Sequence, residues 1–344
     1  MSKPTSQKQY QLVKENSGFR LERFDHAAIR SPELHEVLVR VRASSINRRD
    51  IMILRGTYPI GDRKTVVPLS DGAGDVIAVG ELVTRVKRGD RVVGQFFQTW
   101  MSGRAVASTG ASALGGARDG MLSEYVTLHE DGVLTFPPHL SFEEAATLPC
   151  AALTAWNGLV TRGGLRAGDF VLIQGTGGVS IFGLQFAVAL GATALVTSSS
   201  TAKLDRARVL GAAHLINYRD TPGWAPVVIA ATDGIGVHHV LEVGGVNTLE
   251  QSLAALAHGG HIAIIGGLGG FGGEIPAANM IGHSTRVSGI FVGSRAEFEA
   301  MNVFIDHHLL RPVIDRVFDF TDAEAAYVYM ENGNHFGKVA IRHG

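Results

Sequence analysis

Residues 169–190 constrain this chain more than any other stretch. Asp169–Gln174 is an apolar, strand-like run. Gly175, Thr176, Gly177, Gly178, Val179 and Ser180 follow as a glycine-rich turn, and Ile181–Leu190 reads as a long apolar helix. A chain that passes so abruptly from strand to helix aims backbone N–H groups and the positive end of a helix dipole at one spot. That spot suits the pyrophosphate of a dinucleotide. The third small position of the fingerprint is Ser180 rather than glycine, so a hydroxymethyl sits where strand and helix pack closest. Taken alone, the glycines also fit an ordinary strand–helix turn.

The sequence around this turn favours the nucleotide reading. Ala194–Thr197 is a second strand candidate, Thr201–Leu210 a helix and Leu215–Ile216 a third short strand. Thr221 and Pro222 look like a helix N-cap with proline at the first helical position. Val240–Leu241 and Ile262–Ile265 continue the alternation, with a helix expected over Asn247–Ala257. Repeated strand–helix units predict an α/β domain with a parallel, doubly wound sheet.

The first third of the chain differs. Glu36–Arg42 alternates charged residues with Val37, Val39 and Val41, and Asp75–Val79, Asp90–Gly94 and Leu122–Leu128 are further short strands. Glycine and proline punctuate them, as in a compact antiparallel, barrel-like domain. Met101–Gly120 reads as a surface loop, and Ser141 with Glu144 forms a capping box for a helix running toward Ala146. Helices are expected over Ala296–His307 and from Thr321, and a last strand over Val339–Ile341.

A length of 344 residues predicts two domains. With 31 basic and 32 acidic side chains, no basic surface asks for nucleic acid. Apolar runs are too short and interrupted for a membrane span, and Met1–Gln9 lacks an apolar signal core. Cys150 is the single cysteine, which excludes an intrachain disulfide and makes a cytoplasmic setting the simplest reading.

Several stretches in order resemble the medium-chain dehydrogenase/reductase superfamily. They are Ser45–Asp50, Gly56–Pro59, Ser70–Gly74, Val86–Val92, Leu148–Ala155, the glycine turn, Asn217–Tyr218 and Gly337–Lys338. The likeness covers essentially the whole chain and is nearest the zinc-free, quinone-oxidoreductase-like branch, often filed as zinc-type alcohol dehydrogenases. It implies a GroES-like catalytic domain from residues 1–151 and 291–344, a Rossmann domain over 152–290, and an active site in the cleft between them. At the positions of the catalytic zinc ligands this chain offers Asn47, Ser70 followed by Asp71, and Cys150, a poor set for Zn²⁺. The Met101–Gly120 loop has no cysteines for a structural zinc, and the histidines form no ligand-spaced cluster. No metal is expected, and Cys150 reads as a small buried residue.

NAD-specific sites place an acidic residue at the end of the second strand. Here Thr197–Ser200 ends that strand, and no carboxylate follows before Asp205. Ser198 and Ser199 leave room for a 2′-phosphate, and Lys203 is placed to add charge, so NADPH is expected over NADH. The alternative is that Ser198–Ser200 cap the next helix and Lys203 is a solvated lysine. The resemblance sets Tyr218 against the same phosphate, Thr154 at the nicotinamide end, and the backbone of Phe291 and Val292 at the carboxamide. It also gives Lys338 a share in holding the phosphate. Gly244 and Gly266, each followed by glycine, close two strands where bare backbone approaches the cofactor, or serve turn geometry alone.

Without a metal, hydrogen-bond donors must meet the charge that builds on a substrate oxygen. Asn47 and Tyr58 are the candidates, with Ser70 weaker. Tyr58 is equally readable as a packing aromatic, and Asp50 as an ion-pair partner of Arg48 or Arg49. Such a site favours quinones and α,β-unsaturated carbonyls. The alternatives are a dehydrogenase of a plain alcohol/carbonyl pair and a non-catalytic NADPH-binding protein. An apolar edge at Val287–Val292 predicts a homodimer or higher homo-oligomer.

Overall fold

The computed structural model describes residues 5–270, 272 and 277–344. The chain forms two compact units, one made of residues up to Ala151 together with Ser294–Gly344, the other of Ala152–Gly293.

The first unit opens with β1 (Ser6–Lys14), β2 (Phe19–Ala28) and β3 (Glu36–Ile46), then α1 (Arg48–Leu54), β4 (Thr65–Val66), β5 (Asp71–Val79), β6 (Arg91–Gly94), β7 (Tyr125–His129), β8 (Val133–Thr135) and α2 (Phe142–Ala145). Val37, Val39 and Val41 are buried in a cluster with Val76, Val92, Leu128 and Val133, but Leu38 is buried as well, so the alternation holds only from Val39 to Ala43. Ser141 caps α2, its hydroxyl accepting from Glu144 N–H while Glu144 accepts from Ser141 N–H. The Met101–Gly120 segment is exposed toward both ends, over 102–108 and at Arg118 and Asp119, but buried between them over 112–116. Thr109–Ser112 forms a 3₁₀ turn, and Ala113 and Leu114 are buried.

The second unit runs through α3 (Leu153–Trp156), a wide π-type turn over Asn157–Thr161, β9 (Phe170–Gln174), α4 (Gly178–Ala189), β10 (Thr193–Ser198), α5 (Thr201–Val209), β11 (His214–Asn217), α6 (Ala225–Ala231), β12 (Val237–Glu242), α7 (Leu249–Ala254), β13 (Leu256–Ile264), α8 (Ala277–His283) and β14 (Arg286–Gly289). The six strands are parallel, in the order β11-β10-β9-β12-β13-β14. This is a doubly wound sheet whose order reverses between β9 and β12. Central β9 buries Val171, Leu172 and Ile173 completely. Each contributes about 1.5–3 kcal/mol of transfer free energy. Helix α4 is apolar all round, and its Phe186 meets Trp156 edge-on at 5.6 Å.

Three sequence expectations fail here. The helix expected over Asn247–Ala257 is confined to α7, because the chain re-enters the sheet at Leu256. Trp224, not Thr221, occupies the N-cap of α6, with proline (Pro226) in its first turn. The edge strand stops at Gly289, and Val292 turns into left-handed backbone with φ 49°.

The chain then returns to the first unit through α9 (Arg295–His307), β15 (Ile314–Asp319), α10 (Ala323–Glu331) and β16 (Lys338–Arg342). Strand β16 inserts between β15 and β3 in the order β15-β16-β3-β5-β6-β8, and β7 pairs with β3. Strands β2, β1 and β4 form a separate sheet. Among the described residues no helix is long and apolar enough to cross a membrane.

Candidate functional site

In the first unit a buried polar cluster forms where β3 meets α1, β5 and β16. Asp71, fully buried at the head of β5, is its hub. Asn47 Nδ2 donates to Asp71 Oδ2 at 2.8 Å, and Ser70 Oγ donates to Asp71 Oδ1 at 2.8 Å. Ser45 Oγ lies 3.2 Å from Asp71 Oδ2. Lys338, 3% exposed, donates from Nζ to Asn47 Oδ1 at 2.5 Å and to Ile46 O at 2.9 Å, and stands 3.6 Å from Asp71. Both ends of the Asn47 amide are therefore fixed by partners of known polarity. Lys338, expected to share in holding the cofactor phosphate, has its ammonium inside this cluster.

Asp50 Oδ2 accepts the Asn47 N–H at 2.8 Å, an acidic side chain serving the first turn of α1. Burial raises its pKa to about 6, against the opposing charge of Arg49. Arg49 Nη1 is 3.9 Å from Asp50 Oδ1, so the ion pair read from the sequence is with Arg49. The Arg49 guanidinium also lies over the rings of Tyr58, at 5.2 Å, and Phe96, at 4.7 Å. Tyr58 packs beside the core as an aromatic, and no hydrogen bond joins it to Asn47 or Asp71 among the described residues. Ser70 has spent its hydroxyl proton on Asp71, which weakens it as a donor to substrate. Burial, and then the Asp71 charge, push the Cys150 thiol pKa up.

That donor set does not fit zinc. It offers an amide already bonded to an ammonium, a hydroxyl already donating, a single thiol, and the Asp71 carboxylate, whose oxygens already accept from Asn47 and Ser70, whereas a zinc site is built of several thiolate, imidazole or carboxylate ligands free to bind. Among the described residues no group of three or more His, Cys, Asp or Glu is arranged to hold a metal ion.

In the second unit the glycine turn sits at the carboxyl end of β9, beside the reversal of strand order. Gly175 adopts φ 71°, and its N–H donates to Thr197 O at 2.8 Å. A Cβ there would meet nothing closer than Ser180 Oγ at 3.8 Å, so the left-handed backbone, not lack of space, calls for glycine. Gly177 is extended and caps α4, leaving the amides of Gly178, Val179 and Ser180 in the first turn, where no intrahelical acceptor exists. Thr176 is buried beside them. Ser180 replaces the third glycine without conflict because its hydroxyl donates to Gln174 O at 2.7 Å. The close helix–sheet contact falls instead at Gly183, where a Cβ would come within 2.2 Å of Leu241 Cδ1. The cradle fits a diphosphate: helix-end amides, a left-handed glycine and no carboxylate in the turn.

Ser198, Ser199 and Tyr218 gather at the ends of β10 and β11, where Tyr218 N–H donates to Ser198 O at 3.1 Å. Ser200 caps α5, accepting from Lys203 N–H at 3.4 Å. Thr154 is buried on α3, and Phe291 and Val292 follow the end of β14. Gly266 N–H points back to Glu242 O at 3.4 Å. The Gly244 N–H is likewise not left for a ligand: with that of Gly245 it donates to Glu242 Oε1, at 2.8 and 3.0 Å. Glu242, fully buried, also accepts from Gln174, Thr248 and Ser252. Sequence reasoning missed this carboxylate, Gly183 and the hub role of Asp71. A lone acid closing an apolar strand (Glu242) or opening one (Asp71) was the available signal.

Fold and turn together define a two-unit, dinucleotide-dependent oxidoreductase. The alcohol dehydrogenase GroES-like domain family matches residues 33–138, and the zinc-binding dehydrogenase family matches residues 178–307. The chain is 46% identical over 313 residues to a zinc-type alcohol dehydrogenase-like protein of Schizosaccharomyces pombe, covering 89% of this chain and 90% of that one. It is 33% identical to the zinc-type alcohol dehydrogenase-like protein YogA of Leptosphaeria maculans, covering 90% and 91%. The crystal structure of a putative alcohol dehydrogenase from Sinorhizobium meliloti 1021 superposes with TM-score 0.93 at 42% identity, covering 99% of this chain and all of that one. The chain belongs to the medium-chain dehydrogenase/reductase superfamily and is an NAD(P)H-dependent oxidoreductase.

Proposed function

We infer that this chain is an NADPH-preferring reductase of quinones, α,β-unsaturated carbonyls or related carbonyls, working without a catalytic metal. The observation that carries this reading is the Lys338–Asn47–Asp71 cluster, in which an ammonium occupies a polar centre that lacks a ligand set for zinc. When bound, the dinucleotide supplies the hydride. Lys338 holds Asn47 Oδ1 and Asp71 takes one Nδ2 hydrogen, so the second Nδ2 hydrogen is the one left to meet an oxygen gaining charge. A neutral donor stabilises that charge less than a Lewis acid does, which favours acceptors that delocalise it themselves.

Support for NADPH comes from Ser198, Ser199 and Tyr218 at the ends of β10 and β11, with no acidic side chain between Thr197 and Lys203. We place the enzyme in the cytoplasm as a homodimer or higher homo-oligomer; the single cysteine and the edge position of β14 support this.

The test is a panel of quinone, enone, aldehyde and secondary alcohol, run with both cofactors on wild type and Lys203→Ala, with metal analysis of the same sample. The expected result is highest kcat/KM on the quinone or enone with NADPH, a preference weakened by Lys203→Ala, and no stoichiometric zinc. The names of the similar proteins favour a second reading, a plain alcohol/carbonyl pair. Dominant secondary-alcohol oxidation with one zinc per chain would establish that second reading instead.

A further inference from the structure

We propose that Asn157 is a positioning residue for the nicotinamide half of the cofactor, acting through the backbone of Val292; this rests on the dinucleotide reading above. Val292 has φ 49°, a left-handed conformation that a β-branched residue adopts only under restraint. The restraint is visible. Asn157, 2% exposed, donates from Nδ2 to Val292 O at 2.7 Å. Its Oδ1 has no hydrogen-bond partner among the described residues, so the side chain is buried for the sake of that single bond. Gly158 lets the wide turn approach β12–β14, since a Cβ there would already stand 3.2 Å from Leu241 Cδ2 and Ala263 Cβ. From the other side, Ile290 N–H donates to Ile264 O at 2.9 Å and ties the exit of β14 to β13. Residues 290–292 are thus clamped at the carboxyl end of the sheet.

Location gives the clamp its meaning. In a doubly wound sheet the two mononucleotide halves of the ligand lie on either side of the strand reversal. Ser198 and Tyr218 mark the β10–β11 side for the adenosine ribose, which leaves the β12–β14 side, where Val292 sits, for the nicotinamide. Thr154 precedes Asn157 by three residues on the same helical segment.

Calorimetric titration of wild type, Asn157→Ala, Val292→Gly and the double variant tests this with two ligands. One is NADPH or NADH, whichever wild type binds, and the other is its adenosine end alone, adenosine 2′,5′-bisphosphate or AMP. Loss of one buried hydrogen bond predicts about a tenfold rise in the dinucleotide Kd of Asn157→Ala, with the fragment Kd unchanged. Because glycine adopts φ near +50° freely, adding Asn157→Ala to Val292→Gly costs much less than tenfold. Equal losses for both ligands, or an unchanged dinucleotide Kd, overturn the proposal. If Asn157→Ala does not fold, Asn157→Ser takes its place under the same criterion: its affinity must fall for the dinucleotide and not for the fragment. A wild type that binds neither ligand removes the dinucleotide reading itself.

Discussion

Lys338 and Asp71 are buried opposite charges, and each makes the other tolerable. Removing one member of such a pair costs about 3–5 kcal/mol, because the remaining charge is left uncompensated. Lys338→Met should therefore destabilise the first unit by that order in urea unfolding, and the Lys338→Met/Asp71→Asn double variant by clearly less than the sum of the single changes. Activity should not return with stability, since the Asn47 amide has lost the ammonium that holds its Oδ1. Asp50 makes a separate prediction. Its folded pKa of about 6 is raised above 3.8 by burial. Below about pH 4 the group is protonated folded and unfolded alike; between 4 and 6 only the folded chain keeps the proton. Stability from this group is therefore full at low pH and is lost as pH rises through 6, by about 3 kcal/mol at most. Asp50→Asn should flatten that slope in thermal unfolding between pH 4 and 7.

At the scale of elements, the join of β9 to α4 depends on two small residues with different tasks. Ser180→Ala removes the bond to Gln174 O and should cost about 1 kcal/mol. Gly183→Ala drives a methyl into Leu241 and should cost about 1–3 kcal/mol, with Leu241→Ala in the same chain relieving part of the crowding. Unfolding curves with and without the second change would show it. The sequence made the parallel strands legible because each is a short apolar run between glycines or polar turns. Helix α2 was legible from Ser141 and Glu144, whose capping chemistry is local. Boundaries that depend on distant partners were not. Ala255–Ala257 reads as helix until pairing with β12 claims Leu256 for the sheet. Ala113 and Leu114 look like loop residues until Leu114 is seen packed in the core beside Val92 and Leu128. The neighbours of Lys338 were hidden for the same reason: nothing near it in sequence announces Asn47 or Asp71, each more than two hundred and fifty residues away.

For the whole molecule, the α/β class followed from periodicity and the pairing of GroES-like and Rossmann domains from the family resemblance, whereas the acid response emerges only from burial. His261 in the second unit and His343 in the first are pushed down by burial, to about 4 and about 3, His261 with help from the Arg286 charge. Above pH 6.5 both are neutral folded or unfolded. As pH falls below that, the unfolded chain takes up protons the folded chain refuses, so stability drops through the range 6.5 to 4 for His261 and on toward 3 for His343. His261→Phe should reduce the loss of melting temperature between pH 7 and 4.5.

Strand β3 takes one of its edge partners, β16, from residues that follow the whole second unit in sequence. During synthesis, the second unit is complete in sequence before that partner has left the ribosome. The first unit must then wait with the edge of Ala43–Ile46 uncovered, a window in which a chaperone or a neighbouring nascent chain has access. A nonsense change near residue 335 would remove β16 and make that waiting state permanent, and such a product should be cleared or aggregate rather than accumulate as active enzyme.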